Sequence, residues 1–257
     1  MPTGFIWNWS NRNSKLINPE PSINPDPETN MAEYVVEFGK DGNRVEPDGR
    51  LDAAAFHRNH QPIREMLLRH LAGRSGDVIE AGSGTGQHVI DFARHMPGIV
   101  WWPSDLNEQH LKSIAAWRTH AGLPNIRPPL RIDLSDSAWC PELHGGSGPS
   151  NLLAVFCANV IHIAPWRVAE GLVAGAGRYL RADGRLLLYG PFKRDGKHTA
   201  ASNAVFDASL RERDPEWGVR DIGDLEKLAA IGGLVLAEIA EMPANNLILV
   251  FERAKAA

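Results

Sequence analysis

Val78-Ile-Glu80-Ala-Gly82-Ser-Gly84-Thr-Gly86-Gln-His88 is the stretch whose reading decides the fold. A short apolar run enters it, glycines stand at every second position through its middle, and a segment with Val89, Phe92, Ala93 and Met96 at helical spacing leaves it. Glycines at a strand end let the backbone turn tightly and approach a ligand, and the free amides of the following helix favour an anionic group. The spacing then counts against one common use and excludes another. A dinucleotide fingerprint needs a small residue where Gln87 stands, and a P-loop needs Lys and Ser/Thr directly after its last glycine, where Gln87 and His88 stand.

Outward from the loop, helical and strand-like patterns alternate. Ile63, Met66, Leu67 and Leu71 recur at helical spacing before it. After it come the apolar run Ile99-Val-Trp-Trp102, a helix through Leu111, Ile114, Ala115 and Arg118, and a strand ending at Ile132-Asp133. Leu152 to Phe156 and Arg185-Leu-Leu-Leu-Tyr189 read as strands covered on both faces, with a helix from Trp166 to Leu180 between them. Beyond a long polar segment, Asp221 to Ile231 reads as helix, and Leu234 to Ile239 with Leu247 to Phe251 as an antiparallel hairpin at a sheet edge. The repeated strand-helix order predicts an α/β fold with a doubly wound, mainly parallel, Rossmann-like sheet. Residues 1–50, rich in Pro and Asn, predict an irregular N-terminal arm ahead of a domain over residues 51–257. Within the arm only Tyr34-Val-Val-Glu-Phe38 resembles a strand, and Trp7, Trp9, Tyr34 and Phe38 suggest a clasp or lid over the main domain as the alternative to a loose tail.

With 257 residues, 43% apolar and 23% charged, the chain has the composition of an ordinary soluble protein. A net charge of −4 supplies no electrostatic footprint for nucleic acid or anionic lipid. No apolar run approaches the roughly 18 residues of a membrane span, and the N-terminus lacks the basic start and apolar run of a secretory signal. The expectation is a cytoplasmic protein with no membrane partner. Cys140 and Cys157 differ in setting and suggest neither a disulfide nor a metal site.

Two carboxylates fall at successive strand ends beside the loop. Asp105 could accept hydrogen bonds from both hydroxyls of a ribose, and Asp133 from an adenine amino group. Each alone is commonly a turn or cap residue; their joint placement favours a nucleoside site. Here the chain resembles the class I S-adenosylmethionine-dependent methyltransferases, through Glu80-Ala-Gly82-Ser-Gly84-Thr-Gly86 and the ribose-binding acid Asp105. Within them it resembles the domain-of-unknown-function 938 group, the methyltransferase-like 26 relatives. The residues that carry this likeness are Arg58-Asn59-x-x-Pro62-Ile63, Ser83-Gly-Thr-Gly-Gln-His88, Pro103-Ser-Asp105, Ser113-Ile-Ala-Ala-Trp117, Tyr189-Gly-Pro-Phe192-Lys193 and Met242-Pro-Ala-Asn-Asn246. The resemblance spans about residues 52–253 and implies a seven-stranded sheet whose last strand is antiparallel. It further implies S-adenosyl-L-methionine as cofactor and S-adenosyl-L-homocysteine as product. Glu80, Gly82, Ser83, Gly84 and Gly86 would bracket the methionine end, Asp105 and Leu106 the ribose, Asp133 and Leu134 the adenine, and Arg58 and Asn59 would help close the pocket.

A sulfonium-bound methyl is already activated, so the protein has chiefly to align a nucleophile about 3 to 3.5 Å away and exclude water. His162, just beyond the fourth strand, is the candidate general base, or else a loop-orienting residue. Asn159 at the same strand end is a candidate cofactor contact or a turn former. Tyr189, Lys193, Asn203 and Trp217 are candidate substrate contacts in or after the fifth strand, where open α/β sheets present substrate; Lys193 could instead be solvated, and Trp217 could fill the core. The Asn/Asp-Pro-Pro-Tyr sign of DNA-base amino methylation is missing from 158–165, which counts against a DNA substrate. The expected reaction is methyl transfer to an oxygen or nitrogen of a small molecule. The alternatives are a protein or RNA methyltransferase and a non-catalytic cofactor-binding scaffold; oligomeric state is not legible.

Overall fold

The apolar runs without alternation become the buried strands of a sheet covered on both faces. A computed structural model describes residues 45–136, 139 and 151–254. The expected strand at Tyr34–Phe38, the aromatic residues Trp7 and Trp9, and Cys140 lie outside the described residues. In chain order the elements are α1 (Ala54–Leu71), β1 (Gly76–Ala81), α2 (Gln87–His95), β2 (Ile99–Asp105), α3 (Glu108–Ala121), β3 (Leu130–Arg131) and β4 (Leu152–Ala158). There follow α4 (Trp166–Tyr179), β5 (Leu180–Gly190), β6 (Phe192–Arg194), β7 (Lys197–His198), α5 (Ala201–Arg213), β8 (Arg220–Asp221), α6 (Ile222–Ile231), β9 (Leu234–Met242) and β10 (Asn246–Arg253).

The main sheet has seven strands in the order β3-β2-β1-β4-β5-β10-β9. The pairings among β3, β2, β1, β4 and β5 are parallel, and β10 runs antiparallel to both of its neighbours. The fold is therefore the Rossmann-like, mainly parallel sheet with an antiparallel last strand. The closing hairpin is not simply appended at the edge: β10 inserts beside β5 and leaves β9 outermost, with buried and accessible residues alternating along it. Strand pleating sends successive side chains to opposite cores. Val78, Phe156, Leu187 and Val250 pack with Ile63, Leu67, Val89 and Phe92 from α1 and α2, whereas Ile79, Val155, Leu188 and Leu249 pack with Leu172 and Leu225 from α4 and α6.

The polar segment after β5 is structured. β7, β6 and β8 form a small second sheet, and α5 lies between β7 and β8 in sequence. The buried residues of α5 are Asn203, Asp207 and Leu210, a helical i, i+4, i+7 face in which two of the three are polar. Hydrophobic periodicity cannot register such a face. Asp221, read as the start of a helix, caps α6 by accepting from the Gly223 amide.

The chain reaches α1 along a line of hydrogen bonds. The Leu51 amide donates to Ser113 Oγ at 2.9 Å, Trp117 Nε1 donates to the Leu51 carbonyl at 2.9 Å, and the Arg50 guanidinium lies 4.6 Å from the centre of the Trp117 ring. The Ser113 and Trp117 of the sequence motif thus dock the entry to α1 onto α3, and α1 comes to lie over the glycine loop.

Candidate active site

At Gly82, Gly84 and Gly86 the φ angles are 72°, 57° and 88°, in the left-handed region that side chains with a Cβ resist. Space is also short: a Cβ on Gly82 would stand 2.5 Å from Val160 Cγ2, and one on Gly86 would stand 2.9 Å from the Ile114 Cα. The loop is fastened to β2, since the Ser83 amide donates to the Ser104 carbonyl (2.7 Å) and the Gly84 amide to Asp105 Oδ2 (2.9 Å). Ser83 and Ser104 hydroxyls both donate to the Glu80 carbonyl. Gln87 joins the loop to the entry of α1, accepting from the Ala53 amide and Thr85 Oγ1 and donating to Asp52 Oδ1.

These contacts shape a cavity of about 250 Å³ at the C-terminal ends of β1, β2 and β4. Glu80, Gly82, Ser83 and Gly84 line one part of it; Asp105, Leu106, Asp133 and Leu134 line another, and Asn159 reaches it from the end of β4. Glu80 is 3% exposed, and its Oε2 has no hydrogen-bond partner among the described residues. Burial pushes its pKa up to about 8; the Ser83 hydrogen bond opposes the rise and the Asp105 charge adds to it. A carboxyl in that condition is poised to meet a buried cation. Asp105 is already oriented: Oδ1 accepts from the Asn107 amide, and Oδ2 accepts from Gly84 with His110 Nδ1 at 3.2 Å. Asp133 is oriented by Ser135, whose amide and hydroxyl both donate to its Oδ1. Leu106, Ile132 and Leu134 supply apolar wall beside these carboxylates, as a flat heterocycle requires.

Sequence reasoning missed several walls. Ala53, Ala55 and Phe56 come over from the entry and first turn of α1, Thr85, His88 and His110 add polar walls, and Ala158, Val160, Ile163, Ala164 and Val168 complete the lining. Burial holds the His88 pKa down at about 4, with His60 contributing, and its Nε2 lies 2.8 Å from Asn59 Oδ1. A carboxamide oxygen only accepts, so in this pair the neutral His88 ring donates from Nε2. His88 ends the glycine motif, which was the available signal; Phe56 carries none, because its place depends on the docking of α1.

Arg58 and Asn59 do not line this cavity. They line an adjoining one of about 140 Å³, with Pro62, Tyr189, Ala244 and Asn246, and the two cavities share Ala55 and Asn159 as walls. Asn159 has a φ of 58°, and its amide donates to the Tyr189 carbonyl at 2.9 Å, so the turn after β4 is tied to the end of β5. Ala244 and Asn245 have φ of 58° and 59° in the turn before β10. Left-handed backbone at non-glycine positions persists where the surroundings enforce it, commonly at ligand clamps.

His162, Lys193, Asn203 and Trp217 line neither cavity, and each has a physical reason. The His162 ring is 2% exposed, packs edge-on to Phe206 at 5.7 Å, and lies so close under Gly190 that a Cβ there would come within 2.8 Å of His162 Cε1. Burial, with the Arg220 charge adding, holds its pKa down at about 3, so it is neutral and sits behind the wall. Lys193 pairs with Asp207 Oδ2 at 2.8 Å. Asn203 donates to the Asn245 carbonyl and to Thr199 Oγ1, bracing the turn. Trp217 lies next to Gly218, whose amide donates to the His162 carbonyl, and its indole nitrogen is buried without a partner among the described residues. Cys157 is buried in β4, its thiol pushed up by burial, and belongs to the core.

Known proteins share this architecture. A family model described as "Protein of unknown function (DUF938)" matches residues 50–253. Among solved structures, an O-methyltransferase family protein from Burkholderia thailandensis superposes with a TM-score of 0.64 at 17% identity, covering 79% of this chain and 58% of that one. CalO1, a methyltransferase in calicheamicin biosynthesis whose structure holds S-adenosylhomocysteine, gives 0.58 at 17% identity over 75% of this chain and 54% of its own. The mitomycin 7-O-methyltransferase MmcR gives 0.56 at 17% identity over 70% and 49%. At such identities the likeness is one of fold, and this chain spans about half the length of the structures it matches. Among the described residues no helix is long and apolar enough to cross a membrane.

Proposed function

The chain belongs to the DUF938 family, and from that premise we propose that it is an S-adenosylmethionine-dependent methyltransferase acting on an oxygen or nitrogen of a small molecule. The observation that carries the reading is the buried Glu80 carboxyl, whose Oε2 has no hydrogen-bond partner among the described residues, set beside a left-handed glycine loop in the same cavity as the pre-oriented Asp105. A dinucleotide or nucleoside triphosphate would call for anion-binding groups at that end; a carboxyl there suits an amino-acid ammonium.

In this reading Glu80 takes the ammonium, and Asp105 accepts from the ribose hydroxyls with lone pairs that Gly84 and Asn107 leave over. Asp133 with Leu106, Ile132 and Leu134 holds the adenine. When bound, the cofactor supplies a methyl carbon on a sulfonium: the acceptor lone pair forms the new bond as the carbon–sulfur pair returns to sulfur, and the acceptor proton leaves to solvent. The rest falls to the chain. Ala53, Ala55 and Phe56 roof the cavity and exclude water, which raises the value of every aligned dipole within. Asn159 stands where the two cavities meet and orients the acceptor beside the reacting carbon. His162 acts as a positioning residue beneath Gly190 rather than as the base. The small net charge and the small second cavity favour a metabolite over a macromolecule.

Calorimetric titration of the protein with S-adenosylmethionine and S-adenosylhomocysteine tests this directly. Micromolar binding, weakened about a hundredfold by Asp105→Ala through loss of two charge-assisted hydrogen bonds, is the expected result. Folded wild-type protein that binds neither compound refutes the reading.

A further inference from the structure

The smaller cavity is built from four separate parts of the chain, and its chemistry is more specific than its size. Arg58 and Asn59 come from α1, Tyr189 from the end of β5, Asn246 from the start of β10, and Asn159 from the turn after β4. Pro62 in the same wall has no N–H for the Arg58 carbonyl four residues earlier, so α1 is locally released where it meets the cavity. No ion pair to Arg58 occurs among the described residues. Arg58 is exposed where it meets the cavity, and Tyr189, Asn59 and Asn246 share the lining, Tyr189 and Asn59 being buried. With Asn59 Oδ1 committed to His88, its remaining amide group is a donor. The lining thus offers a guanidinium, carboxamide N–H groups and a phenol O–H, with no carboxylate among its described walls.

We propose that this cavity is the methyl-acceptor pocket and that the acceptor is a small carboxylate, its anionic group held by Arg58; the proposal rests on the methyl-transfer reading above. Shared walls at Ala55 and Asn159 put the pocket next to the cavity assigned to the cofactor. A guanidinium fork matches a planar carboxylate, and the neutral donors around it can satisfy that one charge. A phosphate dianion would ask for a second cation or a helix N-terminus, and the pocket has neither among its described walls. The volume of about 140 Å³ admits a single ring or a short chain. Outside it, a hollow of about 450 Å³ shares Asn246 and carries Arg194 and Lys197, neither paired with a carboxylate among the described residues. Glu241 stands on the same hollow, leaving a net positive approach suited to an incoming anion. Arg58 holds the carboxylate and takes no part in the bond change; the nucleophile is a hydroxyl or amine elsewhere on the acceptor.

Saturation-transfer NMR on the full chain with S-adenosylhomocysteine present, using benzoate and its neutral isostere benzamide as probes, tests the proposal. The expected result is benzoate binding about tenfold tighter than benzamide, with that preference lost in Arg58→Ala and reduced in Tyr189→Phe, which keeps the ring and removes only the hydroxyl. Equal binding of the two probes, no benzoate binding at millimolar concentration, or a preference that survives in Arg58→Ala overturns it. Displacement of benzoate by inorganic phosphate at equal concentration overturns the carboxylate assignment, since it marks a general anion site. Calorimetry with S-adenosylhomocysteine on the same samples separates the two levels. Cofactor binding without benzoate binding refutes the acceptor pocket alone, loss of cofactor binding in Arg58→Ala returns that residue to the cofactor cavity, and absence of cofactor binding in wild type removes both readings.

Discussion

The two cavities that share Asn159 are made in different ways. The larger is written largely in backbone: consecutive residues 80–86, with the ends of β2 and β3, set its shape through left-handed glycines and amide hydrogen bonds. The smaller is written in side chains from residues 58, 59, 159, 189 and 246, which meet only because α1 docks across the sheet and β10 inserts beside β5. The larger site takes from remote packing chiefly its wall from α1, Ala53, Ala55 and Phe56; the smaller takes all of its lining that way. In the proposed reading the cofactor geometry is then local and the acceptor geometry assembled.

If the acceptor side is held by remote braces, cutting one should cost more than altering the loop. Asp207 braces the small sheet after β5: its carboxylate accepts from the Val219 amide at 2.7 Å and meets Lys193 at 2.8 Å, His198 at 3.2 Å and Arg211 at 3.3 Å. Burial alone would raise its pKa, and Lys193, the Val219 amide and Arg211 outweigh that and lower it. Asp207→Ala leaves a buried amide and a cation unpaired and should lower stability by about 3 kcal/mol, read from urea unfolding. Asp207→Asn, which keeps an acceptor for Val219, should recover part of the loss; an Ala variant within about 0.5 kcal/mol of wild type would show that the small sheet is not held this way. Next in size is Gly82→Ala. Its Cβ meets Val160 Cγ2 at 2.5 Å with φ at 72°, but the neighbour is a side chain that can shift. A loss of about 1 to 2 kcal/mol in unfolding is expected, with cofactor affinity falling as Val160 is pushed into the cavity it lines.

The same contrast explains what could be read from sequence. The parallel sheet was legible because buried strands such as Leu152–Ala158 are unbroken apolar runs, and the glycine loop because glycine at alternate positions has few structural uses. Asp105 and Asp133 were legible as carboxylates at strand ends. Helix α5 was not, since its buried face is Asn203, Asp207 and Leu210. Lys193 and Trp217 looked like ligand-binding types, yet the first is taken by Asp207 and the second lies by the His162 loop, contacts separated by many residues in sequence. Arg58 and Asn59 were found through a motif, but nothing in the motif says which side of Asn159 they serve.

Proton linkage at Glu80 sharpens the cofactor side. Its pKa is raised from 4.5 to about 8, so in the ligand-free protein the group stays protonated at neutral pH. The folded state then binds more protons than the unfolded one, and this group lowers stability as pH climbs from about 4.5 to about 8. Ammonium binding favours the ionised form. Cofactor binding near pH 7 should therefore release close to one proton, and affinity should rise with pH toward 8. Calorimetry in buffers of different ionisation enthalpy reads that proton, and Glu80→Gln should abolish the release. Release unchanged in the variant would assign the proton elsewhere.

The smallest expected effect belongs to His162, and it decides whether the acceptor side contains a histidine base. A base working near neutral pH must titrate there and must reach the acceptor. His162 is held at about 3 by burial and the Arg220 charge, and it lies behind Gly190 and Phe206. Nitrogen-15 NMR of the imidazole should thus show a neutral ring from pH 8 down to 5, with no inflection from this residue in the pH dependence of methyl transfer. Because the unfolded chain takes up the proton below about 6.5 and the folded chain does not, the residue costs stability as pH falls below that value. His162→Asn should remove this acid-side loss and leave the neutral-pH rate profile unchanged in shape. A ring that titrates near 6.5 instead would mean that the wall at Gly190 opens, and the two cavities would then be joined by a moving residue rather than divided by fixed ones.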